Sequence, residues 1–231
     1  MVLTPADAAK KAAAEAACAY ITSGTIIGLG TGSTADFAVR HIGELVQKGL
    51  DVRGVATSVK TEKLAREVGI PLVDLNDVEA IDVTIDGADE VDPKLDLIKG
   101  LGGALLREKI VASISQRQII VVDPSKIVTR IGTRSPLPVE VLPFGASVVE
   151  RRLKRSGYHP ALRMRDGKPF VTDNGNLVLD LTFLTGIGDA RKVEREINNI
   201  PGVVENGLFL SLTWRVIVGE ADGSVREISS S

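Results

Sequence analysis

Short apolar runs separated by helical patterns constrain this chain more than any other feature. Thr25–Leu29, Val52–Thr57, Ile81–Ile85 and Gln118–Val122 each have strand length, and a further candidate, Ile70–Val73, lies among them. A helix is predicted from Thr4-Pro5, a capping residue followed by proline at the first helical position, to about Tyr20, with Ser23-Gly24 as its stop. Other helical patterns cover Ala35–Gln47, Ser58–Val68 and the stretch from Ala104 through Ile114. Strands alternating with helices predict a parallel sheet joined by right-handed crossovers. The β-branched run ending in Val122 suits a strand buried on both faces.

The pattern changes after Lys126. Residues 131–143 are extended and punctuated by Pro136, Pro138 and Pro143, and Ala146–Lys154 reads as a helix. Ala161–Met164, Phe170–Thr172 and Leu177–Leu181 read as strands, with turns at Asp166-Gly167-Lys168 and Asp173-Asn174-Gly175. A helix over Asp189–Asn198 and a strand over Val203–Glu205 complete a small α+β unit. Leu208–Leu212 and Trp214–Val218, followed by a hairpin turn at Asp222-Gly223, are expected to close the first sheet. The fold class is therefore α/β: a Rossmann-like, mostly parallel sheet flanked by helices over 1–130 and 207–231. A smaller α+β domain, ferredoxin-like in type, is inserted over 131–206.

With 231 residues, the chain is long enough for a substantial core. A net charge of −2 and only 3% aromatic residues argue against a nucleic-acid partner or an anionic membrane surface. No apolar run reaches membrane-spanning length. The first helix carries Lys10, Lys11 and Glu15, unlike a signal peptide. The single cysteine, Cys18, leaves no internal disulfide, reads as a packing residue and fits a reducing, cytoplasmic compartment.

Two segments carry chemistry. Gly30-Thr31-Gly32-Ser33-Thr34 lies between a strand and a helix, where glycines permit a tight turn and the helix start offers free amides to a phosphate. Gly30-x-Gly32-x-x-Ala35 also satisfies the dinucleotide pattern, but the second strand ends Ala56-Thr57-Ser58, without the acid that pattern needs. Hydroxyls there point instead to a second phosphate-contacting loop, and a small phosphorylated metabolite is favoured. The second segment runs from Asp86 to Lys109: Asp86-Gly87-Ala88-Asp89-Glu90, then Lys99-Gly100-Leu101-Gly102-Gly103, then Arg107-Glu108-Lys109. Asp86 falls at a strand end, where open α/β sheets bind ligands, and Glu108 inside the first turns of the next helix. Two carboxylates, a lysine and a glutamate beside a phosphate loop suit proton abstraction next to a carbonyl. The rival is a magnesium site at Asp86, Asp89 and Asp92. His41 and His159 lie outside both segments and read as structural or solvated.

These motifs, with Asp123-x-Ser125-Lys126 and Gly207-Leu208-Phe209, resemble the signatures of type A ribose-5-phosphate isomerase, in family order and essentially end to end. The resemblance implies interconversion of D-ribose 5-phosphate and D-ribulose 5-phosphate through an enediolate, in the pentose phosphate pathway, with no cofactor and no metal. It makes Glu108 the base between C1 and C2, Lys99 the group that stabilises the oxyanion, and Asp86 and Asp89 the residues holding sugar hydroxyls. Thr31, Gly32, Ser33 and Thr34 would take the phosphate, with Lys126 and Lys10 adding positive charge. Asp86, Gly87, Ala88 and Asp89 would line the sugar, as would Lys99, Gly100, Leu101 and Gly102. A homodimer or homotetramer is implied. Leu101 stands where many members carry glycine, and Ser211–Arg215 is bulkier than usual. Two other readings stay open: a sugar-phosphate-sensing module on the same scaffold, and an acyl- or coenzyme A-transferring relative with Glu108 as nucleophile.

Overall fold

A computed structural model describes residues 4–229 of the chain. In order, its elements begin α1 (Pro5–Cys18), β1 (Thr25–Leu29), α2 (Ser33–Gln47), β2 (Val52–Ala56), α3 (Val59–Glu67) and β3 (Val83–Asp86). Then come β4 (Glu90–Val91), β5 (Leu97–Ile98), α4 (Leu105–Ser113), β6 (Gln118–Val122), β7 (Leu137–Val141) and α5 (Ala146–Arg155). β8 (His159–Leu162), β9 (Met164–Arg165), β10 (Lys168–Pro169), β11 (Leu177–Thr182) and α6 (Ala190–Asn198) follow. The last strands are β12 (Val203–Asn206), β13 (Leu208–Phe209), β14 (Arg215–Gly219) and β15 (Val225–Ser229). Two compact units result: Met1–Ala88 with Arg107–Ile127 and Leu212–Ser231, and Asp89–Leu106 with Val128–Ser211.

The first unit is built on a six-stranded sheet in the order β15-β14-β6-β3-β1-β2, parallel except for the antiparallel edge strand β15. Its parallel part follows the 2-1-3-4-5 arrangement, in which the direction of winding reverses between β1 and β3. The Thr4 hydroxyl caps α1 by accepting from the Asp7 amide at 3.1 Å, and Pro5 fits the first turn because no bond needs its missing N–H. The helix is alanine-rich where it packs: Ala13, Ala14 and Ala17 are fully buried in the core with Ile27, Leu29, Ile42 and Ile119. A Cβ on Gly219 of β14 would stand 1.9 Å from the Ala9 carbonyl oxygen, so the approach of helix to sheet requires glycine there. Burial, the larger cause, and the Glu15 charge push the Cys18 thiol up to about 12, in keeping with a packing role.

The second unit contains β7-α5-β8-β11-α6-β12, a β-α-β-β-α-β succession whose strands pair antiparallel in the order β12-β7-β11-β8. Leu137, Val139, Val141, Leu179 and Leu181 pack with Leu153 and Ile197 from its two helices. A separate three-stranded sheet, β13-β5-β4, carries the segment from Asp89 to Lys99.

Several elements depart from the sequence reading. Ile70–Val73 is not a strand; Leu72 makes one isolated bridge to Gly54, and the chain then enters a 3-10 turn at Leu75–Asp77. Leu208–Phe209 pairs with β5 rather than joining the first sheet. The chain turns away from that strand at Ser211, whose φ is +57° and whose amide donates to Asp96 Oδ1 at 3.0 Å. The pairing expected at Phe170–Thr172 falls earlier, between β9 and β10, leaving one bridge from Val171 to Leu177. No helix among the described residues is long and apolar enough to cross a membrane.

Candidate functional site

In the first unit, β1, β3 and β6 are adjacent and parallel, so the chain leaves all three at one edge of the sheet. Gly30–Gly32 follows β1, Asp86 ends β3 with Gly87 and Ala88 after it, and Asp123–Lys126 follows β6. Crevices at the carboxyl edge, above all where the winding reverses, are where such sheets hold ligands.

The turn after β1 is tied to β3 by short bonds. The Gly30 amide donates to the Ile85 carbonyl at 2.9 Å, and the Thr31 amide to Asp86 Oδ1 at 3.0 Å. The same Asp86 oxygen accepts from the Gly87 amide at 2.7 Å. Any Cβ on Gly30 would lie 2.5 Å from the Asp86 Cα, so glycine is required for the two strand ends to meet. Gly32 then takes φ +124°, ψ 171°, and α2 begins with no side chain capping it. Its first-turn amides have no intrahelical acceptors and carry the positive end of the helix dipole. Ser33 is exposed and Thr34 half-buried at that start.

Thr31 is spent internally. Its Oγ lies 2.8 Å from the hydroxyls of Thr57 and Ser58 and 3.0 Å from that of Thr61. Thr57 in turn donates to the Leu29 carbonyl and Thr61 to the Gly30 carbonyl, each at 3.0 Å. Thr57, Ser58 and Thr61 are all buried. The hydroxyls after β2 therefore brace the turn that follows β1. Thr61, absent from the sequence reading, completes this cluster; its place one turn into a helix begun by Ser58 was the available signal.

Glu108 lies in the first turn of α4 and is 4% exposed. The far end of that helix is fixed beside the start of β3: the Ile81 amide donates to the Ile114 carbonyl and the Gln116 amide to the Ile81 carbonyl. The first turn of α4 therefore lies toward the edge where β3 ends at Asp86. Lys126 closes a 3-10 turn capped by Asp123, which accepts from the Ser125 amide at 2.9 Å, and is half-buried. Lys10 is on α1, 3.9 Å from Asp7.

The second unit carries Asp89, Lys99, Gly100, Leu101 and Gly102. The Asp89 amide donates to the Ile98 carbonyl and the Lys99 amide to the Gly207 carbonyl, both at 2.9 Å. The Lys99 side chain is 2% exposed, with its ammonium 5.4 Å from the centre of the Phe209 ring. Gly207 is obligatory, since a Cβ would sit 2.3 Å from the Lys99 carbonyl oxygen. The Leu101 amide donates to Asp89 Oδ2 at 2.9 Å while its side chain stays exposed, so a side chain at this position leaves that amide contact intact. Glu90, fully buried, accepts from the amides of Gly132, Arg134 and Ser135 at 2.5–2.6 Å and so holds a turn rather than a ligand.

The sequence reading also missed Arg163. Its Nε donates to Asp180 Oδ2 at 2.8 Å and its Nη2 to Oδ1 at 2.5 Å, while Nη1 donates to the carbonyls of Gly100 at 2.9 Å and Leu101 at 3.0 Å. His41 contacts Glu44 and Glu15 on the helix surface, and His159 is an exposed strand residue. Among the described residues, no group of three or more His, Cys, Asp or Glu side chains is placed to hold a metal ion.

Comparison with known proteins adds a family. The family described as ribose 5-phosphate isomerase A (phosphoriboisomerase A) matches residues 53–223. A protein named ribose-5-phosphate isomerase A from Thermosynechococcus vestitus is 51% identical over 227 residues, covering 95% of each chain. One of the same name from Desulfatibacillum aliphaticivorans is 49% identical over 232 residues, covering 99% of this chain and 100% of that one. The solved ribose 5-phosphate isomerase of Plasmodium falciparum superposes with a TM-score of 0.93 at 40% identity, covering 96% of this chain and 98% of that one. A D-ribose-5-phosphate isomerase solved in complex with phospho-erythronic acid gives 0.91 at 41% identity, with 95% and 97% covered.

Proposed function

The chain belongs to the ribose 5-phosphate isomerase A family, and from that premise we propose how its residues interconvert D-ribose 5-phosphate and D-ribulose 5-phosphate. The first-turn amides of α2, with the hydroxyls of Ser33 and Thr34, take the phosphate. Lys126 adds positive charge at the same edge of the sheet, and Lys10 is a further cation for the phosphate. The observation that carries the reading is Glu108: a buried carboxylate in the first turn of α4, a helix whose far end is held beside the start of β3, while α2 begins without a side-chain cap.

Glu108 takes the proton from C2 of the open-chain aldose. The C2–H electron pair becomes the C1–C2 double bond, and the C1 carbonyl oxygen takes up negative charge. Lys99 stabilises that oxyanion, a service of the kind worth roughly 3–4 kcal/mol for one well-aimed donor. Glu108 then returns the proton to C1 while the carbonyl re-forms at C2 and the O2 proton passes to O1. Asp86 and Asp89 hold sugar hydroxyls, assist ring opening and relay that proton between the oxygens; Gly87, Ala88, Gly100, Leu101 and Gly102 line the sugar. The phospho-erythronic acid held by a relative supports this substrate class, because its carboxylate is planar like an enediolate and its phosphate sits at the other end of a short carbon chain.

The protein acts in the cytoplasm, as its single buried cysteine suggests, and assembles as a homodimer or homotetramer. The test is conversion of ribose 5-phosphate in EDTA with solvent deuterium followed into the sugar. Turnover with deuterium incorporation is expected. Binding without turnover would favour a sensor, and loss of activity in chelator would favour a metal-assisted route.

A further inference from the structure

The Asp180–Arg163 pair lies outside every residue assigned above, yet it grips the loop that carries Lys99. Both of its side chains are largely buried, and its two carboxylate bonds leave Nη1 to donate to two successive carbonyls, Gly100 and Leu101. In a trans peptide the C=O and N–H point in opposite directions. Drawing the Gly100 carbonyl toward Arg163 therefore turns the Leu101 amide the other way, onto Asp89 Oδ2 at 2.9 Å. Drawing the Leu101 carbonyl to the same nitrogen turns the Gly102 amide to that side as well. A second contact reinforces the clamp. The Phe170 ring, 5.7 Å beneath the Arg163 guanidinium and 4.2 Å from that of Arg165, fills the space above Gly103, where a Cβ would come within 2.3 Å of it.

We propose that Arg163, locked by Asp180, is a positioning residue for the isomerase reaction: it sets the two peptide planes that aim the Asp89 carboxylate and the Gly102 amide at the sugar. This rests on the role given to the Asp89–Gly102 segment under the proposed function. A lysine cannot reproduce it, because a single ammonium lacks the planar fork that reaches a carboxylate and two carbonyls at once. The phosphate contacts belong to the start of α2 and do not depend on it.

The test compares the full-length protein with R163K and D180N, measuring kcat and KM for ribose 5-phosphate and the affinities of 4-phospho-erythronate and inorganic phosphate. We expect R163K to lose at least tenfold in kcat and tenfold in phospho-erythronate affinity, with phosphate affinity unchanged within twofold. D180N should show the same pattern more weakly. Added ethylguanidinium should restore part of the activity of R163A, which a merely misfolded variant does not allow. Wild-type kcat and phospho-erythronate affinity in R163K overturn the proposal, as does equal weakening of phosphate and phospho-erythronate. If the wild-type protein neither turns over ribose 5-phosphate nor binds phospho-erythronate, the functional reading itself has failed, and the variants are not needed to show it.

Discussion

The Thr31 amide donates to Asp86 Oδ1 at 3.0 Å, and this bond joins the turn after β1 to the end of β3 at the reversal of winding in the sheet. Asp86 thus has two tasks. One oxygen organises the turn after β1 through Thr31 and Gly87, and the charge of the group is what the proposed function assigns to the sugar.

Substitution separates the two tasks. In Asp86→Asn the amide oxygen still accepts from both backbone N–H groups, so the turn keeps its shape and only the charge is lost. The expected result is a fall in kcat of roughly ten- to a thousandfold with KM for ribose 5-phosphate changed by less than about threefold. Asp86→Ala also releases the Thr31 amide and should raise KM as well. Steady-state kinetics of the pair checks this; a larger KM rise in Asn than in Ala would contradict it.

Glu108→Gln keeps the size of the side chain and removes its basicity. The expected loss in kcat is at least about a hundredfold, with substrate affinity nearly unchanged and deuterium exchange into the sugar abolished to the same degree. An active Glu108→Gln enzyme would mean that another group carries the proton.

Much of this arrangement was readable in the residues themselves, and the unread part has a common cause. The Gly30–Thr34 turn, Asp86 at a strand end and Glu108 at a helix start are local features, each announced by its immediate neighbours. Arg163 and Asp180 become partners only once β8, β9 and β11 are in register, and no spacing rule links positions seventeen residues apart. The strands β4 and β5 are two residues each, too short for any periodicity, and their hairpin depends on Leu95 at φ +62° and on Asp92 accepting two amides. Ile70–Val73 has strand composition, but only its Leu72 bridges to the edge strand β2 before the chain turns away. The hydroxyls after β2 are legible by type, while their inward direction depends on where β1 ends.

Thr61→Val tests the bracing hydroxyls. The change is nearly isosteric but removes the donor to the Gly30 carbonyl and a partner of Thr31 and Ser58. Leaving buried polar groups unmet costs about 1–3 kcal/mol. At this chain length that corresponds to a melting temperature lower by roughly 2–10 °C. KM should rise at the same time, because the turn it supports leads into the helix start proposed to take the phosphate. A thermal melt read beside KM checks both; a stable variant with unaltered KM would show that the cluster is dispensable.

Cys18 offers a test that is independent of catalysis. Its thiol is buried beside Ala38, and its titration is pushed up to about 12, chiefly by desolvation, so almost no thiolate exists at pH 8 in the folded chain. Because the folded titration point is raised, the contribution of the neutral thiol is complete below its unfolded value of about 9; as pH climbs past 9 the unfolded chain loses the proton first, so stability falls. Native protein should therefore resist a thiol-specific chromogenic reagent at pH 8 and release one equivalent on unfolding in denaturant. Cys18→Ser should in turn lose less stability at pH 10 than at pH 8, relative to wild type, because it removes the proton linkage along with the packing. Rapid labelling of the native thiol would place Cys18 outside the core that α1 and α2 share.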